Sequence, residues 1–192
     1  MKTLLLIRHA HTEMAGRFCG HSDPELSNAG RQQLPEIVTR LQKWQLSAIF
    51  ASDLKRAVQT AEPVALGCNL PVQLRTSLRE INFGMWEGHS WEEIEAVDPA
   101  FASSWLKEYP YKAPPGGEAF RDFENRVRNE LAELAGLIDR NMVAAAVTHA
   151  GFIRTALSLI SETPIASIAA ADYGSVTELK LVRQEWSVKS LL

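Results

Sequence analysis

Two short apolar runs that each stop at a histidine constrain this chain more than any other feature in it. Thr3-Leu4-Leu5-Leu6-Ile7 gives way to Arg8-His9-Ala10-His11-Thr12, and residues 142–148 give way to His149-Ala150-Gly151. Such runs are too short for helices and too uniformly apolar for half-exposed strands, so they read as strands buried on both faces. A third run, 47–51, leads through Ser52-Asp53 into Lys55-Arg56. Helical patterns lie between them. The alternation predicts a three-layer α/β/α fold around a mostly parallel sheet, in which ligands bind beyond the carboxyl ends of the strands. The cations that follow these strands should therefore meet at one sheet edge.

Leu34, Ile37, Val38 and Leu41 fall at helical spacing, with Pro35 leaving the helix start open between Ser27 and Leu34. Leu54, Val58 and Ala61 form the stripe of a second helix, for which Asp53 is the expected N-cap and Pro63 an expected stop or kink. Pro71 to Leu74 reads as a further short strand. Residues 79–117 differ in character, because they hold Phe83, Trp86, Trp91, Phe101, Trp105, Tyr109 and Tyr111. This stretch reads as a helical, aromatic-rich cap inserted into the sheet framework, with a capping box at Ser90-Trp91-Glu92-Glu93. Gly116-Gly117 then introduces a long amphipathic helix through Phe120, Phe123, Val127, Leu131, Leu134 and Ile138. Glu118 reads as a first-turn charge of that helix. Another helix follows His149-Ala150-Gly151 and runs through about Ile160. The end alternates, with Thr177, Leu179 and Leu181 and then Trp186, Val188 and Ser190, as two exposed-edge strands or a hairpin would. No repeat or linker interrupts this order, so 1–192 is expected to be one domain.

Composition narrows the partners. The 192 residues carry 20 Lys+Arg against 23 Asp+Glu, a formal charge of −3 that offers no basic footprint for nucleic acid or for an anionic membrane. Any positive site must be local. Cys19 and Cys68 are too few for a disulfide framework, which points to a reducing cytoplasm. The first apolar run ends at Arg8, far short of a membrane span or a signal-peptide core, so a soluble, cytoplasmic protein is expected.

Two arginines and two histidines at a sheet edge suit a phosphoryl group, because guanidinium forks match its oxygens. A neutral imidazole there can attack phosphorus and form a phosphohistidine, and cationic neighbours help keep His9 neutral. Expelling an alkoxide needs a proton donor. Glu80, at the head of the aromatic region, is the candidate, since partial burial raises a carboxyl pKa. An isolated strand-end histidine is usually structural, and a lone Glu80 could simply pair with Arg79. It is the combination that carries the chemistry. The scheme calls for neither metal nor cofactor. His9-x-His11 with Cys19-x-His21 holds zinc-ligand types, but its spacing fits no standard zinc module.

These residues resemble the histidine phosphatase superfamily, the group that includes phosphoglycerate mutases and many small phosphatases. The resemblance is carried by Leu6-Ile7-Arg8-His9, Gly20-His21-Ser22-Asp23-Pro24-Glu25-Leu26-Ser27-Asn28-Ala29-Gly30 and Ser52-Asp53-Leu54-Lys55-Arg56-Ala57-Val58-Gln59-Thr60-Ala61. Glu80 and Val147-Thr148-His149-Ala150-Gly151 complete it, in order. It implies a phosphoglycerate mutase-like fold with His9 as the phosphorylated nucleophile and Glu80 as acid/base. Arg8, Arg56 and His149 would bind the phosphoryl group, with Thr12 and the backbone at Ala150 adding hydrogen bonds. Arg17 is a further candidate anion contact, against the plainer reading of a solvated loop residue. The chain departs from the commonest family pattern, Arg-His-Gly-Glu-Thr, at Ala10 and His11.

A narrower resemblance is to alpha-ribazole phosphatases. Glu80-Ile81-Asn82-Phe83-Gly84-Met85-Trp86-Glu87-Gly88, the Trp105 region and Pro115-Gly116-Gly117-Glu118-Ala119-Phe120 carry it. It implies a small phosphorylated substrate, alpha-ribazole 5′-phosphate, whose dephosphorylation falls late in cobalamin assembly. An aromatic cap could stack on a flat base, although packing into the cap's own core is the simpler use of those rings. A broad-specificity sugar or nucleotide phosphatase is the alternative, and a phosphoglycerate mutase comes after it. Oligomeric state is not legible.

Overall fold

The computed structural model describes residues 1–183 and 185–191, with the side chains of Ser190 and Leu191 and all of Gln184 and Leu192 outside that description. Six strands, β1 (Lys2–Arg8), β2 (Leu46–Ala51), β3 (Val72–Leu74), β4 (Val143–Thr148), β5 (Val176–Val182) and β6 (Glu185–Leu191), form one sheet in the order β3-β2-β4-β1-β5-β6. The first four run parallel, and β5 is antiparallel to both β1 and β6. The two runs that end in histidine lie side by side at the centre. Leu4, Leu5, Leu6 and Ile7 of β1 are wholly buried, each worth roughly 1.5–3 kcal/mol of transfer free energy.

Strand alternation sorts these residues into two layers. Leu4, Leu6, Ala144 and Ala146 pack on one face against Phe123, Val127 and Leu131 of α5 (Phe120–Leu137) and Phe152, Ile153 and Ala156 of α6 (Ala150–Ser161). Leu5, Ile7, Ala145 and Val147 pack on the other face, against Ile37 and Leu41 of α1 (Asn28–Leu41) and Ala57, Ala61 and Val64 of α2 (Lys55–Cys68). This is the expected three-layer α/β/α arrangement. Two further helices, α3 (Trp91–Val97) and α4 (Pro99–Glu108), fall within residues 79–117, and the Ser90–Glu93 capping box forms as expected.

The start of α1, left open between Ser27 and Leu34, is settled at Ser27, which caps it, with Pro35 inside the helix. Four other local expectations are corrected. Asp53 does not cap α2: its carboxylate takes both arms of Arg79, at 2.7 and 2.6 Å, and Asp23 Oδ1 accepts from Lys55 N–H at 2.6 Å instead. Pro63 does not end α2, which runs on to Cys68 with Val64 and Ala65 buried beyond the proline. Glu118 lies before the first turn of α5 and pairs with Arg126 at 2.8 Å. The terminal hairpin does form, but only β6 is an edge, since β5 lies between β1 and β6. The alternation expected at Ser190 falls on a side chain outside the described residues. No helix among the described residues is long and apolar enough to cross a membrane.

Candidate active site

Parallel register brings the two histidines together. Arg8 pairs with Thr148 across β1 and β4, and His9 N–H continues the ladder to Thr148 O at 2.9 Å. The next residues in each strand, His9 and His149, therefore emerge at the same height, with ring centroids 5.1 Å apart. Arg56 enters from the second residue of α2 and is wholly buried. Its Nε donates to His9 Nε2 at 3.2 Å, while its outer nitrogens donate to the carbonyls of Ser22, Gly20 and Cys19 at 2.6, 2.8 and 3.2 Å. The expected convergence holds for Arg8, His9, Arg56 and His149. Lys55 is exposed and takes no part.

His9 Nδ1 lies 2.8 Å from the carbonyl oxygen of Ala10. A carbonyl can only accept, so Nδ1 carries the proton and Nε2 keeps its lone pair. Burial, and after it the charge of Arg56, pushes the His9 pKa well below 6.5. Burial and Arg56 act on His149 in the same way, and neither of its buried ring nitrogens has a protein partner. Arg8 donates through Nη1 to Ala171 O at 2.6 Å, and its guanidinium lies 3.6 Å from the centroid of the Tyr173 ring. Its Nε is buried and unpartnered. Arg8 and His9 open on a cavity, whereas Arg56 and His149 are buried behind it.

Glu80 is buried at the junction of two cavities. One, of about 300 Å³, is lined by Arg8, His9, Thr12, Arg17, Phe18, Glu80, Phe83, Ala150 and Tyr173 among others. The second, of about 440 Å³, shares Phe18, Glu80, Phe83 and Ala150 and continues between Trp105, Tyr109, Phe120, Phe123 and Ile165. Burial raises the Glu80 pKa above the ordinary carboxylate value, opposed by the N–H groups of Gly151 at 2.8 Å and Ile81 at 2.9 Å. Gly151 lets the carboxylate sit where it does, because a Cβ at that position would lie 2.1 Å from Glu80 Oε1 and displace it. Arg79 pairs with Asp53, not with Glu80.

The remaining candidates separate. Thr12 is buried and faces the first cavity, as does Ala150. Arg17 lines it too, but its Nη1 is held by Gly88 O and Glu93 Oε2, each at 2.8 Å. Ala10 is fully buried and is not among the residues at positive φ, so it replaces the family's glycine without backbone strain. His11 Nδ1 lies 2.8 Å from Ser27 Oγ, and its ring packs edge-on against Tyr173. Among the described residues, no three His, Cys, Asp or Glu side chains cluster as a metal-binding group. The aromatics of the cap divide. Trp86 packs against Trp91 and Phe101, Trp91 also lines the first cavity, and Phe83, Trp105 and Tyr109 wall the second. Tyr173 was not legible as a site residue, since a lone tyrosine before the last hairpin carries no motif. Arg126 was missed as well: it holds the carbonyls of Ser77, Arg79 and Glu80 at 3.0, 2.8 and 3.1 Å.

Comparison with known proteins shows the family. The model for the histidine phosphatase superfamily (branch 1) matches residues 4–192. Phosphoserine phosphatase 1 of Hydrogenobacter thermophilus is 36% identical over 70% of this chain, a stretch that spans only 64% of that relative. Glucosyl-3-phosphoglycerate phosphatase of Mycobacterium tuberculosis is 31% identical over 86% of this chain and 78% of its own length. Among solved structures, the alpha-ribazole phosphatase from Shigella flexneri superposes with a TM-score of 0.88 at 26% identity, covering 98% of this chain and 95% of that one. The chain belongs to the histidine phosphatase superfamily, branch 1, and its relatives include named phosphatases.

Proposed function

We propose that this phosphatase hydrolyses a small phosphate monoester through a phosphohistidine on His9, with alpha-ribazole 5′-phosphate as its substrate. The observation that carries the reading is the His9 tautomer. With Nδ1–H donating to Ala10 O, the Nε2 lone pair accepts Arg56 Nε–H, beside the His149 ring, and is freed for attack when a phosphoryl oxygen takes that donor. In the first step Nε2 attacks phosphorus, the P–O ester bond breaks, and Glu80 gives its proton to the leaving oxygen. In the second, water attacks phosphorus, Glu80 takes a proton from it, and the P–N bond breaks to release phosphate. Arg8 and Arg56 would neutralise the equatorial oxygens throughout, and neutral His149 would donate a hydrogen bond to them. Thr12, Ala150 and the partly engaged Arg17 would contact the substrate around them. The place of Glu80 between the two cavities suits a proton donor that must reach the bond between phosphoryl and leaving group.

The second cavity supports the substrate assignment, because aromatic and aliphatic walls favour a flat, apolar leaving group. On this reading residues 79–117 act as the cap of a single domain, and the free cysteines Cys19 and Cys68 suit a reducing cytoplasm. The alternative is a broad-specificity sugar or nucleotide phosphatase, favoured by relatives named for substrates as unlike as phosphoserine and glucosyl-3-phosphoglycerate. The test is hydrolysis of p-nitrophenyl phosphate with excess chelator, by wild type and His9→Ala. Chelator-resistant turnover that the variant loses is expected. Turnover that survives His9→Ala would overturn the phosphohistidine. Comparing kcat/KM for alpha-ribazole 5′-phosphate, phosphoserine and sugar phosphates then decides the substrate, and equal values would leave the broad-specificity reading standing.

A further inference from the structure

Glu87 has no part in the scheme above, yet its carboxylate collects four backbone N–H groups. Those of Gly20, His21 and Ser22 donate at 3.0, 2.8 and 3.0 Å, and that of Phe83 at 3.0 Å. Burial alone would raise its pKa, but the Ser22 side chain and the N–H groups of Ser22, His21 and Phe83 win and hold it below the ordinary carboxylate value. The opposite face of the same backbone serves Arg56. In the peptide joining Cys19 to Gly20, the N–H goes to Glu87 and the carbonyl to Arg56 Nη2. The peptide joining Gly20 to His21 does likewise. Two peptide dipoles thus lie between a carboxylate and a guanidinium, each oriented to favour both charges. Gly20 permits this closeness, because a Cβ there would lie 2.5 Å from Glu87 Oε1 and 2.1 Å from Ile81 O. The series ends at the reacting atom, with Arg56 Nε on His9 Nε2.

We propose that Glu87 is a positioning residue that holds Arg56 against His9 through the backbone of residues 19–22. The proposal rests on the phosphohistidine reading for its catalytic consequence. Arg56 is wholly buried, and its outer donors meet only carbonyl dipoles of residues 19–22, so the negative charge that polarises those dipoles also fixes where the guanidinium sits. Removing that charge should loosen Arg56 and weaken the hold on the transition state more than on the ground state.

The experiment is a double-mutant cycle of Glu87→Gln and Arg56→Lys, read by kcat and KM for p-nitrophenyl phosphate and by calorimetric affinity for orthovanadate. Glu87→Gln is expected to lower kcat about 10- to 100-fold in the wild-type background, with KM changed little. In the Arg56→Lys background the same change should cost less than about threefold, because the group it acts through is already gone. Equal losses in both backgrounds, or wild-type kcat in Glu87→Gln, would overturn the proposal. If Glu87→Gln does not fold, Glu87→Asp enters the same cycle with the same criteria. Vanadate binding needs no turnover, so the coupling between Glu87 and Arg56 is still read if His9→Ala shows that the phosphohistidine reading is wrong.

Discussion

A Cβ on Gly151 would lie 2.1 Å from Glu80 Oε1, so even alanine there must push the carboxylate from its seat between the two cavities. Gly151→Ala should therefore behave like a partial loss of Glu80, cutting kcat/KM, which reports only the step that forms the phosphohistidine, about 10- to 100-fold on an alkyl phosphate. On p-nitrophenyl phosphate, whose leaving group needs no proton, the loss should be much smaller. Steady-state kinetics on the two substrates check this, and equal losses would count against Glu80 as the acid. The pH profile belongs to the same residues. His9 must be neutral to attack, and its pKa lies well below 6.5, so the acid limb of kcat/KM should fall below pH 6.5. Glu80 must be protonated, and its pKa is raised, so the alkaline limb should lie above the ordinary carboxylate range for alkyl phosphates. His9, Arg8, Arg56, His149 and Glu80 were legible because strand ends and motif blocks announce them. Tyr173 lies in no motif block, and Glu87, though inside the block 80–88, had no legible role there because its partners are backbone N–H groups that no side-chain pattern records.

At the scale of elements, α2 carries Arg56 in its first turn and is capped from outside its own sequence. Asp23 Oδ1 receives the Lys55 N–H at 2.6 Å, while Asp53, the local candidate, is taken by Arg79. Asp23→Ala should cost about 1 kcal/mol of stability, the usual value of an N-cap, measured by urea unfolding. A change within about 0.2 kcal/mol would show that the contact has no capping role. Helix α5 holds a second such arrangement. Its Glu130 is buried and receives Arg75 Nη2 at 2.9 Å, with Arg75 Nε and Ser77 Oγ also donating to it. Glu130→Ala should destabilise by about 1–3 kcal/mol and leave kcat nearly unchanged, because the network ties α5 to the segment after β3 and not to the site. Periodicity located both helices. It could not reveal which distant side chain completes a helix end or pairs a buried carboxylate.

Across the whole molecule, burying two neutral histidines at the sheet edge makes stability depend on pH. His9 and His149 have folded pKa values well below their unfolded value of 6.5, so in the window beneath 6.5 the unfolded chain binds more protons. Stability should then fall as the pH drops from 6.5, with a slope approaching roughly 1.4 kcal/mol per pH unit for each histidine. Glu80 opposes this. Its raised folded pKa makes the folded state the better proton binder just above the ordinary carboxylate range, so its own contribution weakens as pH rises there. Thermal unfolding of wild type and His149→Gln between pH 5 and 8 separates the terms (about 1.4 kcal/mol per unit at most). A variant with an undiminished acid slope would remove His149 from the account.

The order of strands and helices, the buried centre at β1 and β4, and the residues that end those strands follow from the sequence by itself. Hydrophobic periodicity and the place of histidine and arginine after each run are local properties, and the parallel sheet aligns those run ends without further instruction. Other features were decided by tertiary structure alone: the His9 tautomer, the seat of Glu80 against Gly151, the double use of residues 19–22 by Glu87 and Arg56, and the division of the cap aromatics between core and cavity wall. Each depends on which groups far apart in the chain come within hydrogen-bond or packing distance, and a linear pattern does not carry those distances.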